Sequence, residues 1–249
     1  MNTIVCIKRV PDSATRIRIA AGGREIDPAG VKHVMNPYDE FALEEAIRRK
    51  EAAGDGRVTV LSAGPPETAD ALRTALATGA DEAVLLVCEA THDGRAVAHV
   101  LAEEIRAREF DLVLFGKQAI DDDNMQVPQM VAEFLGLPCA TVVVDLEIEA
   151  GRAVARREVE GGHQVLEFDL PAVVSTQKGL NEPRYPSLKG IMAAKKKPLE
   201  EKRVTLSEPG LELVLLEEPP APAQGRIVGE GPDAVPELVS ALRREARVL

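Results

Sequence analysis

Short apolar runs alternate with longer amphipathic stretches along the first 136 residues. The short runs are rich in β-branched residues and predict strands, whereas apolar residues spaced three and four apart predict helices. Strands are predicted at residues 3–7, 57–61, 83–87 and 112–115, and helices at residues 37–53, 67–78, 93–108 and 127–135. This alternation, with short links and strands that are apolar on both faces, predicts an α/β fold built on a doubly wound, mostly parallel sheet.

The sequence NPYDE at residues 36–40 marks the start of the first helix. Asn36 is a favoured capping residue, and Pro37 suits the first helical position. Two acidic residues follow in the first turn, where the helix dipole favours negative charge. Gly54 is expected to end this helix.

Beyond Cys139 the helical pattern gives way to a series of strands joined by turn dipeptides. The joining dipeptides are Ala-Gly at 150–151 and Gly-Gly at 161–162, which are typical of hairpin turns. Strand-like stretches lie at residues 142–148, 153–160, 165–169 and 171–176. An antiparallel extension of one sheet edge is therefore predicted. Nearer the N-terminus, residues 16–26 alternate around Gly22-Gly23 like a hairpin or a strand with a tight turn.

The stretch LNEPRYPSLKGIMAAKKKP combines turn residues, an apolar centre and three consecutive lysines near its end. Pro183 and Pro186 each remove a backbone donor and disfavour helix at the preceding residue, so residues 180–187 are predicted to form an ordered loop. A helical turn is predicted at residues 189–197, and Leu188 lies at the junction. Leu188 is expected to fold back into the core, as most leucines do.

The composition changes after residue 198. A charged stretch is followed by a proline-rich linker at residues 217–225 and an amphipathic helix at residues 234–247. We therefore predict an α/β domain over residues 1–198, which includes the loop at 180–198, and an extended C-terminal arm with its helix over residues 199–249. Such an arm either packs on its own domain or embraces a partner.

The composition excludes several classes of protein. The 249 residues carry a net charge of −11, which argues against nonspecific binding to nucleic acid. Three widely spaced cysteines, Cys6, Cys88 and Cys139, are typical of reduced core residues. Neither a signal peptide nor a membrane-spanning stretch is evident, so a cytoplasmic protein without membrane insertion is expected.

Candidate chemistry lies in the loops that follow the strands, because open parallel sheets bind ligands at their carboxyl edge. The qualifying loops are residues 8–12, 62–66 and 116–126. Neither a dinucleotide-binding glycine motif after the first strand nor a P-loop is present. Asp121, Asp122 and Asp123 have three interpretations: a metal site of a phosphohydrolase, a solvated loop that precedes a helix, or a ribose contact beside a phosphate at the next helix N-terminus. No convincing nucleophile or general base is found, so the residues alone predict a nucleotide-binding α/β domain.

Four segments in fixed order, VKHVMNPYDEFALEEAIRRKE, RTALATGAD, GKQAIDDDNMQVPQM and LNEPRYPSLKGIMAAKKKP, resemble the β subunits of electron transfer flavoproteins, and the resemblance covers nearly the whole chain. It implies a Rossmann-like fold of the adenine nucleotide α-hydrolase type. It further implies an electron carrier subunit rather than an enzyme, in a heterodimer whose α subunit holds most of the FAD while this subunit binds AMP and the arm contacts the α subunit. The implied electron donors are acyl-CoA dehydrogenases and other flavin dehydrogenases, and the implied acceptor is the electron transfer flavoprotein–quinone oxidoreductase or an equivalent of the respiratory chain. Without the resemblance, a nucleotide-binding regulator of the universal stress type remains an alternative, although its glycine-rich phosphate loop is missing.

The resemblance also implies two sets of residues and no metal ligand. Tyr38 would lie against the flavin ring, and Leu188 would be the anchor that enters an apolar pocket of a dehydrogenase. The cofactor set is Cys6, Asn36, Pro37, Tyr38, Asp39, Ala63, Ala119, Ile120, Asp121, Asp122, Asp123, Asn124, Met125, Gln126, Val127, Pro128, Gln129 and Met130. The partner set is Leu180, Asn181, Glu182, Pro183, Arg184, Tyr185, Leu188, Ile191 and Met192. Pro128 departs from many relatives and has no amide for a phosphate. In bifurcating relatives the same pocket holds a second FAD, so this alternative stays open.

Overall fold

A nine-stranded sheet organises the chain, as shown by a computed structural model that describes residues 1–89, 93–221 and 224–249. The strands are β1 (Asn2–Cys6), β2 (Arg9–Pro11), β3 (His33–Met35), β4 (Arg57–Gly64), β5 (Glu82–Val87), β6 (Leu112–Gly116), β7 (Cys139–Glu149), β8 (Arg152–Val159), β9 (Gly162–Asp169), β10 (Ala172–Thr176) and β11 (Leu199–Arg203). The α-helices are α1 (Pro37–Ala53), α2 (Ala69–Thr78), α3 (Gly94–Arg106), α4 (Val127–Leu135), α5 (Leu188–Ala194) and α6 (Val235–Ala241).

The strand order of the large sheet is β11-β5-β4-β1-β6-β10-β7-β8-β9. Every neighbouring pair from β11 to β7 is parallel, and β8 and β9 continue the sheet with antiparallel pairs. This arrangement confirms the predicted α/β class and the antiparallel extension. Strand β1 lies where the strand order reverses, so its carboxyl end is the expected place for a ligand.

Two apolar cores lie on opposite faces of the sheet, because successive residues of a strand point to opposite sides. Val5 packs with residues of α1 and α2, whereas Ile4 and Cys6 pack with residues of α3 and α4. All five residues of β6 are buried, as a central parallel strand covered on both faces requires. Helices on both faces make the sheet doubly wound.

Helix α1 begins at Pro37 and ends before Gly54, as its local signals predict. Gly54 adopts a left-handed conformation with φ 69°, and its N–H donates to Lys50 O over 3.0 Å. Asn36 takes the predicted N-cap position, but its side chain makes no capping hydrogen bond to a backbone N–H of the first turn. The side chain of Asn36 instead forms hydrogen bonds with the loop between β6 and α4.

Residues 16–26 form a tight turn with an isolated antiparallel bridge between Ile19 and Ile26 instead of two regular strands. Backbone hydrogen bonds from Ala20 N to Glu25 O and from Asp27 N to Arg18 O, both over 2.8 Å, also cross this turn. A small antiparallel pair, β2 with β3, was not predicted; its strands are three residues long and therefore too short to show a period.

The sheet extends beyond the predicted end of the domain at residue 198. Strand β11 pairs in parallel with β5, and one compact unit runs from Met1 to Leu215. A second unit, Leu216–Leu249, contains a 3₁₀ turn (Pro232–Ala234), α6 and a π-helical turn (Leu242–Ala246). Part of the predicted linker, residues 222 and 223, lies outside the described residues. Across the described chain, none of the helices combines the length and apolarity needed to cross a membrane.

Candidate functional site

Asn36 ties the start of α1 to the loop between β6 and α4. Its Nδ2 donates to Gln118 O over 2.8 Å, and its Oδ1 accepts from Ile120 N over 3.2 Å. The residue is 1% exposed, so both polar atoms of its side chain are satisfied inside the protein. The structure thereby brings together two predicted cofactor segments that lie more than 80 positions apart.

Asp39 ties α1 to the ends of two strands. Its Oδ2 accepts from Lys8 N over 2.7 Å and its Oδ1 from Gly116 N over 3.1 Å. Burial raises the pKa of Asp39 to about 7, although these hydrogen bonds and the charge of Lys8 oppose the shift. A Cβ at Gly116 would collide with Asp39 and the Tyr38 backbone, so a glycine is required where the helix meets β6.

Lys8 neutralises part of the acidic loop. Its Nζ lies 2.8 Å from Asp121 Oδ1 and 2.9 Å from Asp122 Oδ2, and these carboxylates raise the pKa of Lys8 against the effect of burial. Gln118 Nε2 donates to Asp123. Within residues 1–89, 93–221 and 224–249, no group of three or more His, Cys, Asp or Glu is placed to hold a metal ion. The arrangement thus leaves an acidic loop whose charge is partly compensated.

Helix α4 begins at Val127 and points its first turn at the same edge. The first amides of a helix lack an intrahelical partner, and Pro128 has no N–H, so Val127 and Gln129 are the available backbone donors. In the loop that precedes the helix, Asp123 and Met125 have positive φ values of 51° and 54°. Strained residues of this kind occur preferentially at functional sites.

The remaining predicted cofactor residues lie at the same edge with different exposure. Cys6 is the last residue of β1 and is buried, so only its backbone faces the edge, and burial raises the pKa of its thiol. Ala63 lies one residue before the end of β4. Tyr38 is half-buried, and Lys117 Nζ lies 4.9 Å from its ring centroid, within the range of a cation–π contact.

The residue analysis missed three contributors to this edge: Lys8, Gln118 and Lys117. Lys8 and Gln118 fall in loops that follow strands, so their positions were available from the pattern. Their partners were not, because the Lys8 contact to Asp121 spans 113 positions.

Residues 180–198, called the docking segment here, display an apolar surface. Tyr185 is 94% exposed, Leu188 78% and Met192 68%, and Ile191 is exposed as well. The alternative that Leu188 packs into the core is therefore wrong. Ser187 caps α5 by accepting from Gly190 N over 3.0 Å, which places Leu188 at the first position of the helix.

Other residues of the docking segment point inward or are already engaged. Leu180 packs against the core, and Asn181 is buried, so these two members of the predicted partner set lie beneath the exposed surface. Lys197 Nζ donates to Leu76 O over 2.9 Å and also to Ala80 O, at the end of α2. The exposed positive charge therefore comes from Lys189, Lys195 and Lys196.

Comparison with known proteins gives the class. Residues 25–207 match the family described as "Electron transfer flavoprotein domain". This match contains Asn36, Asp39, the acidic loop and the whole docking segment.

Relatives that match the chain over nearly its full length are β subunits. The chain is 43% identical to the electron transfer flavoprotein subunit beta of Bacillus subtilis, with 100% of both chains covered. It is 42% identical to that of Syntrophomonas wolfei, covering 94% of this chain and 92% of the relative, and 40% identical to that of Sus scrofa, covering 100% and 99%. The chain belongs to the electron transfer flavoprotein β-subunit family. Membership in this family implies electron transport and association with a flavin.

Proposed function

We propose that this chain is the β subunit of a heterodimeric electron carrier that binds AMP, helps an α subunit to hold FAD, and is not itself an enzyme. It accepts electrons after docking on flavin dehydrogenases such as acyl-CoA dehydrogenases. It passes them to a quinone oxidoreductase or an equivalent acceptor of the respiratory chain. The observation that carries this proposal is the exposed apolar docking segment on the domain whose carboxyl edge joins residues 36–39 to residues 118–123.

The donors at the carboxyl edge fit an adenine nucleotide monophosphate. The amides of Val127 and Gln129 suit phosphate oxygens, because the N-terminus of a helix favours negative charge. Carboxylate and amide side chains of residues 121–124 suit ribose hydroxyls. Lys8 removes much of the repulsion that two of these carboxylates would exert on a phosphate. Backbone groups of Cys6 and Ala63 would flank the base at the ends of β1 and β4.

Tyr38 is the residue proposed to contact the flavin. Its ring is fixed at the start of α1 by the buried Asn36 and Asp39 on either side, and Lys117 lies against the ring. The flavin, when bound, carries the electrons. The contribution of this chain is to offer a rigid aromatic wall with a nearby positive charge.

The terminal unit is suited to the α subunit. Its apolar residues include Ile227, Val235 and Leu238, which are exposed on this chain. In the described part of residues 216–249 no side chain is buried, so this unit lacks a core of its own. Apolar surface of this kind gains stability when a partner covers it.

Co-expression with the cognate α subunit tests the proposal. We expect a yellow 1:1 complex that contains one FAD and one AMP and loses its colour when the subunits separate. Asp123→Ala should lower the AMP content, whereas Asp145→Ala, which removes an exposed carboxylate beside Arg156, should leave it unchanged. Two FAD molecules per heterodimer, or a colourless homodimer that retains nucleotide, would contradict the assignment.

A further inference from the structure

The conformation of the docking segment must be fixed by contacts with the rest of the domain. Tyr185, Leu188 and Met192 project into solvent from a stretch of loop and a helix of only seven residues. A helix of this length is not stable by itself in water. Contacts with the rest of the domain must therefore fix the conformation that displays these side chains.

Arg184 provides the strongest contact at the first end of the segment. Its guanidinium bridges two glutamates of α1, Glu44 and Glu51. Nε and Nη2 donate to the two oxygens of Glu44 over 2.8 and 3.0 Å, while Nη1 and Nη2 donate to the two oxygens of Glu51 over 2.7 and 2.9 Å. Glu44 is also the acceptor for the backbone N–H of Arg184 over 3.3 Å. Such paired, charge-assisted hydrogen bonds fix both position and orientation of an arginine.

The burial of the Glu44 carboxylate makes its pairing with Arg184 necessary. Its side chain is 5% exposed, so the charge is removed from most of the solvent. A buried carboxylate without its cation would be strongly unfavourable. Glu44 is therefore a fixed receptor for Arg184, and the two carboxylates raise the pKa of the guanidinium further above its ordinary range.

Asn181 adds a second contact to the same helix. Its Nδ2 donates to Phe41 O and to Glu45 Oε2, both over 3.0 Å. Two residues at the start of the docking segment, Asn181 and Arg184, are thus bound along α1.

The other end of the segment is bound to α2. Arg73 Nη1 donates to Ala194 O over 2.8 Å and to Lys197 O over 2.9 Å. Gly190 lies so close to Ala77 O that a Cβ would collide with it. The exposed residues 185–192 are therefore held between attachments to α1 and α2.

We propose that the Arg184–Glu44–Glu51 contact is a positioning clamp that preforms the docking surface, so that a flavin dehydrogenase with an acidic rim around an apolar pocket binds a rigid segment. This inference rests on the proposed function, since it concerns the same docking surface. The acidic rim follows from Lys189, Lys195 and Lys196, which are exposed around the apolar side chains. Preforming the segment avoids the loss of conformational freedom that binding would otherwise require.

The test uses the αβ complex with four variants: Arg184→Ala, Arg184→Lys, Glu51→Gln and the control Arg57→Ala. The control removes an exposed arginine that contacts Glu82 at 3.4 Å and touches no part of the docking segment. Two measurements are made: hydrogen exchange of the amides of residues 184–190, and steady-state electron acceptance from an acyl-CoA dehydrogenase, with the complex as the varied substrate.

In Arg184→Ala we expect about tenfold faster exchange, because a local contact that limits opening is lost. KM for the complex should rise about fivefold while kcat and the flavin spectrum stay unchanged, since only preorganisation is removed. Arg184→Lys should be intermediate, because one ammonium cannot pair with both carboxylates in the planar geometry of arginine. Glu51→Gln, which leaves the buried Glu44 pair intact, should show a smaller change of the same kind, and Arg57→Ala should match the wild type.

Two results would overturn the clamp. The first is unchanged exchange in both Arg184 variants and in Glu51→Gln. The second is faster exchange with an unchanged KM, which would show that preorganisation is irrelevant to docking. If Arg184→Ala does not assemble, Arg184→Lys and Glu51→Gln decide the question in the same way. Failure of the wild-type complex to accept electrons from any flavin dehydrogenase would instead refute the proposed function, and with it the docking role, whatever the exchange data show.

Discussion

The carboxyl edge of the sheet and the docking segment depart from ordinary residue placement in opposite directions. At the edge, the polar residues Asn36 and Asp39 are almost completely buried. In the docking segment, the apolar residues Leu188 and Met192 are largely exposed. Both placements are unfavourable for folding alone unless another group compensates, and buried polar and exposed apolar residues are the informative departures.

The compensation differs between the two regions. Buried polar atoms at the edge are matched by backbone hydrogen bonds from strands and loops, so the edge contributes to the fold as well as to a site. The exposed apolar side chains of the docking segment are not covered by other residues of the chain. Attachments to α1 and α2 at the two ends of the segment hold them in this exposed position. We therefore expect substitutions at the edge to change stability and substitutions at the segment's surface to change docking only.

The largest effect is expected for Asp39→Ala. The change leaves the amides of Lys8 and Gly116 without their buried acceptor, and an unsatisfied buried donor costs about 1–3 kcal/mol. Chemical denaturation at pH 7 should show a loss of about 3 kcal/mol, together with reduced nucleotide content. Asp145→Ala, which removes an exposed carboxylate, should be neutral. Unchanged stability in Asp39→Ala would contradict the expectation that the carboxyl edge, unlike the docking segment, contributes to the stability of the fold.

The second effect is a pH dependence that belongs to the edge. Burial raises the pKa of Asp39 from 3.8 to about 7, so between these values the folded state holds a proton that the unfolded state has released. The proton-linked part of this carboxyl's contribution to stability is therefore complete below pH 3.8 and is lost as the pH rises through about 7. The stability of the wild type relative to Asp39→Asn should fall across this window, by at most about 1.4 kcal/mol per pH unit. A difference that stays constant with pH would show that Asp39 is ionised throughout.

The smallest energetic effect is expected for Leu188→Ala. Because this side chain is 78% exposed, the midpoint of thermal unfolding and the flavin spectrum should not change. Electron acceptance from an acyl-CoA dehydrogenase should fall about tenfold in kcat/KM, which corresponds to about 1.4 kcal/mol of lost binding. Val165→Ala, at an apolar residue of β9 that is 59% exposed, serves as the matched control and should behave as the wild type. A loss of stability in Leu188→Ala without a loss of transfer would reverse the assignment of this residue.

Much of the fold was accessible from the sequence because its signals are local. Helix α4 begins at Val127 and ends before Gly136 as predicted, since its apolar spacing and its terminal glycine lie within ten residues of one another. The parallel sheet and the hairpins likewise follow from period and turn residues. Strand β11 did not follow, because LEEKR carries four charged residues and forms a strand only by pairing with β5.

The candidate site was only partly accessible. The positions of its segments were indicated by their place after strands, and the assignment of the segments to a nucleotide and a partner came from resemblance. Asn36 illustrates the limit, because a local rule predicts that its side chain caps α1, whereas the fold uses that side chain to bind Gln118 O and Ile120 N.

The sequence by itself determined the alternating elements, the class of sheet and the edge at which a ligand would bind, because these depend on the periodicity of apolar residues and on the order of strands and helices along the chain. Only the tertiary structure decided that Leu188 faces solvent, that Lys8 compensates the acidic loop, and that Arg184 meets Glu44 across 140 positions. The physical reason is that hydrogen bonds and ion pairs act over a few ångströms of space, and no period along the chain records which distant residues the fold brings within that range.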